Sequence, residues 1–260
     1  MATFDQHEEE GRRRRRRYAV LKTGHATEYT ELTYGGYASM LQRLLQSKDE
    51  RWVIFSVIDG DFSFMDDPNS FDGFVITGSS ADAHSNDFDW IPRLSHALLT
   101  LHRLNKKLLG ICFGHQILAR ALGGKTGRAS VGWEIGIKKL QIDSKIMSQI
   151  YGVEMSPTLN VIESHRDQVL SVPPGAIVLA SSEKTEIEMF AVGDCVLGIQ
   201  CHPEFSKDVM LDIIHCRLSG DSFSAEVANE AIGSLEKHQP DQHPLQFLCK
   251  RFLKGDFEVV

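Results

Sequence analysis

The chain has 260 residues, 42% of them hydrophobic, with 28 basic and 35 acidic side chains and a formal net charge of −7. That length and apolar content can bury a substantial core, which excludes a disordered chain, and the acidic balance argues against a nucleic-acid partner. Five cysteines without framework spacing, an opening segment without apolar character and no transmembrane span point to the cytosol and to no membrane association.

Residues 1–17 read as a mobile leader in which Glu8, Glu9 and Glu10 precede an unbroken arginine run from Arg12 to Arg17. Such a run also suits a nuclear signal or a nucleic-acid patch, but the more acidic remainder of the chain favours a solvated leader. A domain is expected over 18–218. Within it Tyr18-Ala19-Val20-Leu21, Trp52-Val53-Ile54-Phe55-Ser56-Val57, Phe74-Val75-Ile76 and Leu108-Leu109-Gly110-Ile111 read as strands, with helical patterns over about 37–46, 90–104 and 114–122. Right-handed crossovers then give a parallel sheet covered on both faces. A second, β-rich group spans 135–142, 159–163, 177–180, 188–192 and 195–200, with Val192-Gly193-Asp194-Cys195 as a hairpin turn. Three helical stretches, 207–218, 222–237 and 244–254, complete the chain, and 219–260 is expected to be a helical extension packed on the domain.

The chemistry concentrates at Gly110-Ile111-Cys112-Phe113-Gly114-His115-Gln116, where an apolar strand turns sharply into a helix with a thiol at the apex. Glycines two before and two after the cysteine allow a tight turn and close approach of a carbonyl, and a helix N-terminus favours negative charge. This is the cysteine form of a nucleophile elbow, although taken alone such a stretch more often holds a packed core cysteine than a nucleophile. Farther on, Gln200-Cys201-His202-Pro203-Glu204-Phe205 follows another apolar strand and offers an imidazole with a carboxylate two residues away, the pair a thiol nucleophile needs. His115 is a less suitable base, being a helix neighbour of the cysteine that points elsewhere, and Cys201 faces opposite His202 on an alternating strand. His165 and Asp167 lack a further ligand at metal spacing, so no metal is expected.

These two motifs, with Ser164-His165-Arg166-Asp167-Gln168-Val169 between them, resemble the class I glutamine amidotransferase domain in order and separation. The resemblance implies an α/β, flavodoxin-like three-layer sandwich with a mostly parallel central sheet and a C-terminal helical extension. It makes Cys112 the nucleophile, His202 the base and Glu204 its partner, with a thioester to a γ-glutamyl group as intermediate and no cofactor. It also places the oxyanion loop at Asp72-Gly73-Phe74-Val75-Ile76-Thr77-Gly78-Ser79-Ser80, with the Phe113 amide and an amide at Gly78 or Ser79 as donors. Many members carry a Gly-Gly-Pro type of loop where this sequence has Gly-Ser-Ser. Gln116 and the main chain at Ser164 and His165 are implied to hold the glutamyl end.

Thr33-Tyr34-Gly35-Gly36-Tyr37, Val57-Ile58-Asp59-Gly60 and Leu248-Cys249-Lys250-Arg251-Phe252-Leu253-Lys254-Gly255 narrow the likeness to the plant γ-glutamyl peptidases, over about 18–255. That family implies a cytosolic hydrolase acting on glutathione conjugates in sulfur-rich defence metabolism such as glucosinolate formation. Two other readings stay open: a glutaminase subunit supplying ammonia to a separate synthetase, and a catalytically idle binding module. No nucleic-acid or membrane partner is expected.

Overall fold

A computed structural model describes residues 15–220 and 222–255. In chain order it contains β1 (Arg17–Lys22), α1 (Glu28–Tyr34), α2 (Gly36–Leu45), β2 (Arg51–Ser56), β3 (Gly73–Ile76), α3 (Trp90–Arg103), β4 (Lys107–Ile111), α4 (Phe113–Ala121), β5 (Lys125–Arg128) and β6 (Glu134–Ile142). It continues with α5 (Ser144–Tyr151), β7 (Thr158–His165), β8 (Asp167–Ser171), β9 (Ala176–Ser181), β10 (Met189–Val192), β11 (Val196–Ile199), α6 (Lys207–Ser219), α7 (Ala225–Lys237) and α8 (Gln242–Lys254).

Nine strands form one sheet in the order β2-β1-β3-β4-β11-β10-β9-β6-β7. The five from β2 to β11 are parallel and the rest antiparallel. The parallel strands β1, β3, β4 and β11 are apolar runs because both of their faces are covered. Tyr18 packs with Leu41, Leu248 and Phe252 of α2 and α8, whereas its neighbour Ala19 packs with Leu94, Leu98 and Ile117 of α3 and α4. Alternation along one strand thus supplies two cores, and the architecture is a three-layer sandwich. A third cluster joins α6 and α7 to β6 and β7 through Ile135, Ile162, Val209 and Ala231.

Some elements differ from expectation. α1 and α5 lie in segments to which the sequence assigned no element, and β5 and β8 pair into a small separate sheet. Arg17 opens β1 rather than closing the leader, pairing with Arg51, while Arg16 Nη1 donates to the Lys254 carbonyl at 2.6 Å. The rest of the expected leader, 1–14, lies outside the described residues. The hairpin turn is observed: Val192 pairs with Val196 across residues 193–195. No helix among the described residues is long and apolar enough to cross a membrane.

Candidate active site

β4 is buried almost throughout and delivers Cys112 at its carboxyl end, immediately before the first residue of α4. Cys112 sits at φ 53° and ψ −105°, a sparsely populated conformation that costs a residue bearing a Cβ of order 1–3 kcal/mol. The flanking glycines serve packing rather than the turn itself. A Cβ on Gly110 would lie 2.4 Å from the carbonyl carbon and oxygen of Gly114, and one on Gly114 would lie 2.4 Å from the Ile76 oxygen. Glycine therefore lets β3, β4 and α4 meet backbone to backbone, and the cysteine takes the strained dihedral. The Cys112 amide donates to the Ile199 carbonyl at 2.8 Å, which ties the elbow to β11.

β11 leads to the second motif. The His202 amide donates to Ile162 at 2.9 Å, fixing the main chain, and Nδ1 lies 2.9 Å from Glu204 Oε1. The Phe205 ring stacks on the imidazole at 4.0 Å and 6° and touches Tyr37 in turn at 5.1 Å. With Nδ1 engaged, Nε2 is the nitrogen left for the thiol. Burial opposes charge on His202, but the Glu204 carboxylate and the adjacent Cys112 outweigh it and raise its pKa to about 10.

Gly78 stands between the two. A Cβ there would lie 3.0 Å from His202 Cε1 and 3.7 Å from Cys112 Cβ. Its carbonyl is held from behind by the hydroxyls of Thr23 at 3.2 Å and Thr77 at 3.0 Å, and Thr23 is further bound to the Thr77 main chain and hydroxyl. Since a trans peptide sets N–H opposite C=O, this anchoring directs the Ser79 N–H away from Thr23. The Phe113 side chain is buried against Trp90, so the backbone is what Phe113 offers to the site.

Two cavities meet at Cys112, Ser164 and Arg217. One, of about 290 Å³, is lined by His25, Thr27, Tyr37, His202, Phe205 and Ile213. The other, of about 350 Å³, is lined by Gln116, Arg128, Trp133, His165, Arg166 and Asp167. Gly78 lines the first and Ser79 both. The Ser164 carbonyl lies 3.9 Å from Cys112 Sγ. Gln116 is buried, and its amide nitrogen is already engaged by the Asp167 carbonyl at 2.8 Å and Gln200 Oε1 at 3.0 Å, so it braces the cavity wall. The His165 ring is buried too, with Nδ1 at 3.0 Å from the Asp167 carbonyl and Nε2 3.5 Å from Glu163, so the ring is engaged away from the thiol.

His115 is fully buried, with Nε2 3.2 Å from the Ile187 carbonyl and its pKa lowered by burial to about 3, and Cys201 is likewise enclosed. Two groups of described side chains have metal-ligand spacing, Asp82-His84-Asp167 and Glu134-His165-Glu188. In the first, Arg128 already bridges Asp82 at 2.7 Å and Asp167 at 2.6 Å. Sequence reasoning gave no role to Thr23, Trp133 or Arg217, and included Thr77 only as part of the expected oxyanion loop. Contacts across 54 or 84 positions bring Thr23, Trp133 and Arg217 in, and no local motif signals those three.

The sequence pattern of the family described as glutamine amidotransferase class-I matches residues 34–212. Gamma-glutamyl peptidase 3 of Arabidopsis thaliana is 40% identical over 93% of this chain and 98% of its own length, and gamma-glutamyl peptidase 5 of the same plant is 38% identical over 94% and 98%. Among solved structures, a glutamine amidotransferase from Thermotoga maritima superimposes with a TM-score of 0.69 at 20% identity, over 93% of this chain and 99% of that one. The chain belongs to the class-I glutamine amidotransferase family.

Proposed function

We propose that the protein is a cysteine-dependent γ-glutamyl peptidase that hydrolyses the γ-glutamyl bond of glutathione conjugates, within cytosolic sulfur and defence metabolism of the glucosinolate type. The observation that carries this reading is the arrangement at one point of the fold: Cys112 at the N-terminus of α4, a buried His202 locked by Glu204, and two cavities diverging from the thiol. The plant relatives, named for that bond, support the substrate class.

In the proposed reaction the glutamyl half occupies the cavity containing Gln116 and the amine half the cavity containing Tyr37. Cys112 Sγ, as the thiolate, bonds to the γ-carbonyl carbon, and the oxyanion that forms is met by the N–H groups of Phe113 and Ser79. Each such donor is typically worth about 2.7–4 kcal/mol of barrier. His202 Nε2 then gives its proton to the nitrogen as the C–N bond breaks, releasing the peptide amine and leaving a glutamyl thioester. Neutral His202 takes a proton from water, the hydroxyl bonds to the carbonyl carbon, and the C–S bond breaks. Glutamate leaves, and the thiolate–imidazolium pair is restored. Glu204 holds the tautomer and the charge throughout.

The test is incubation of purified protein, beside Cys112→Ala, with glutathione, an S-conjugate of glutathione and glutamine, followed by mass spectrometry of the products. Release of glutamate and the cysteinylglycine half, lost in the variant, is expected. Cleavage of glutamine alone would instead support a glutaminase subunit with a synthetase partner, and no turnover of any substrate would support a binding module.

A further inference from the structure

Arg217 lies on α6 and lines both cavities where they meet at the thiol. Its guanidinium carbon stands 4.5 Å above the Trp133 ring. That ring is itself fixed, because Trp133 Nε1 donates to the Ser222 carbonyl at 2.9 Å and the Ser222 amide donates to the Arg217 carbonyl at 2.9 Å. Arg217 is half-buried, yet no carboxylate pairs with it among the described residues, and its buried Nε has no partner. A guanidinium held over an aromatic face with no carboxylate partner among the described residues is a preorganised receptor for a carboxylate.

The side of the thiol it serves follows from its neighbours. The glutamyl cavity also contains Arg128 and Arg166. In the amine-half cavity the positive candidates besides His202 are Arg217 and His25, and His25 already lies 3.6 Å from Asp59. Ile213 and Cys216, one turn and one residue before Arg217 on α6, line this cavity alone.

We infer that Arg217 binds a free carboxylate on the departing half of the substrate, and so selects γ-glutamyl peptides over γ-glutamyl amides that end in an uncharged group. This rests on the peptidase reading above. The Trp133 platform makes the guanidinium, rather than a general positive charge, the recognising element.

The test compares S-hexylglutathione with its C-terminal glycinamide, two substrates that share the glutamyl group and the scissile bond and differ by one charge. The wild-type protein should cleave the acid with a kcat/KM about 10- to 100-fold above that of the amide, the range expected for one charge-assisted hydrogen-bonded contact. Arg217→Gln should bring that ratio to near one, chiefly through KM for the acid, and Arg217→Lys should keep part of it. A wild-type ratio near one overturns the assignment, as does an Arg217→Gln protein that loses both substrates equally. The wild-type ratio reads the same question if Arg217→Gln fails to fold. Absence of cleavage of either substrate by wild type overturns the peptidase reading and the assignment together, whereas cleavage of both at equal rates overturns the assignment alone.

Discussion

His202 has its charge set by two opposed forces, and their balance is open to experiment. Burial alone would keep the ring neutral; Glu204 at 2.9 Å and the neighbouring Cys112 reverse that and bring its pKa to about 10. In the proposed reaction the imidazolium protonates the leaving amine, so kcat/KM should fall as pH rises through about 10. Glu204→Gln removes the largest stabilising charge, leaves burial dominant and should move that alkaline limb towards neutral pH, which a pH–rate profile measures. Gly78→Ala tests the spacing. The added methyl, 3.0 Å from His202 Cε1, should cut kcat about 10-fold or more while the circular dichroism spectrum stays unchanged, since small misplacements of reacting groups carry large rate penalties.

At the scale of elements, the site depends on three backbones packed without side chains between them. Gly114→Ala would drive a methyl into the Ile76 carbonyl at 2.4 Å, so it should destabilise the protein by about 1–3 kcal/mol in denaturant unfolding. Much of this was legible in the sequence. The Gly-x-Cys-x-Gly elbow and the His-Pro-Glu motif are local, and the apolar strand and helix periods are long enough to read. β8 escaped notice because it pairs only with the short β5, outside the main sheet. α5 is bounded by readable signals, since the Asp143 side chain caps the Ile146 amide at 2.9 Å and Gly152 closes the helix at φ 62°, but its single apolar stripe is brief. Phe205 stood inside a recognised motif, yet its stacking on His202 depends on the turn after β11, which spacing does not specify. Arg217 and Trp133 are far apart in the chain and become one feature only through the packing of α6 against the segment before β6.

Across the whole molecule, two buried ionisable groups, Lys254 and Glu188, bear on stability. Lys254, at the end of α8, donates to the Leu45 carbonyl and Ser47 Oγ, each at 2.6 Å, and pairs with the buried Glu50 at 2.9 Å. Lys254→Ala leaves Glu50 without its cation and should cost about 3 kcal/mol, or roughly 6–12 °C in melting temperature, with the α8 contacts to β4 loosened. Beneath the site, Glu188 is fully enclosed, and burial raises its pKa to about 8. A carboxyl with a folded-state value above its unfolded one contributes stability in full below 4.5 and loses it as pH rises through about 8. The melting temperature should accordingly decline across that window, and Glu188→Gln should flatten the decline in calorimetry.

The proposed reaction passes through a covalent bond to one sulfur. Acid quenching during turnover of S-hexylglutathione, followed by peptide mass analysis, should find the peptide containing Cys112 heavier by one glutamyl group, in a linkage cleaved by hydroxylamine, with no such adduct in Cys112→Ala. Turnover that persists in Cys112→Ala, or a glutamyl adduct on any other residue, would contradict it.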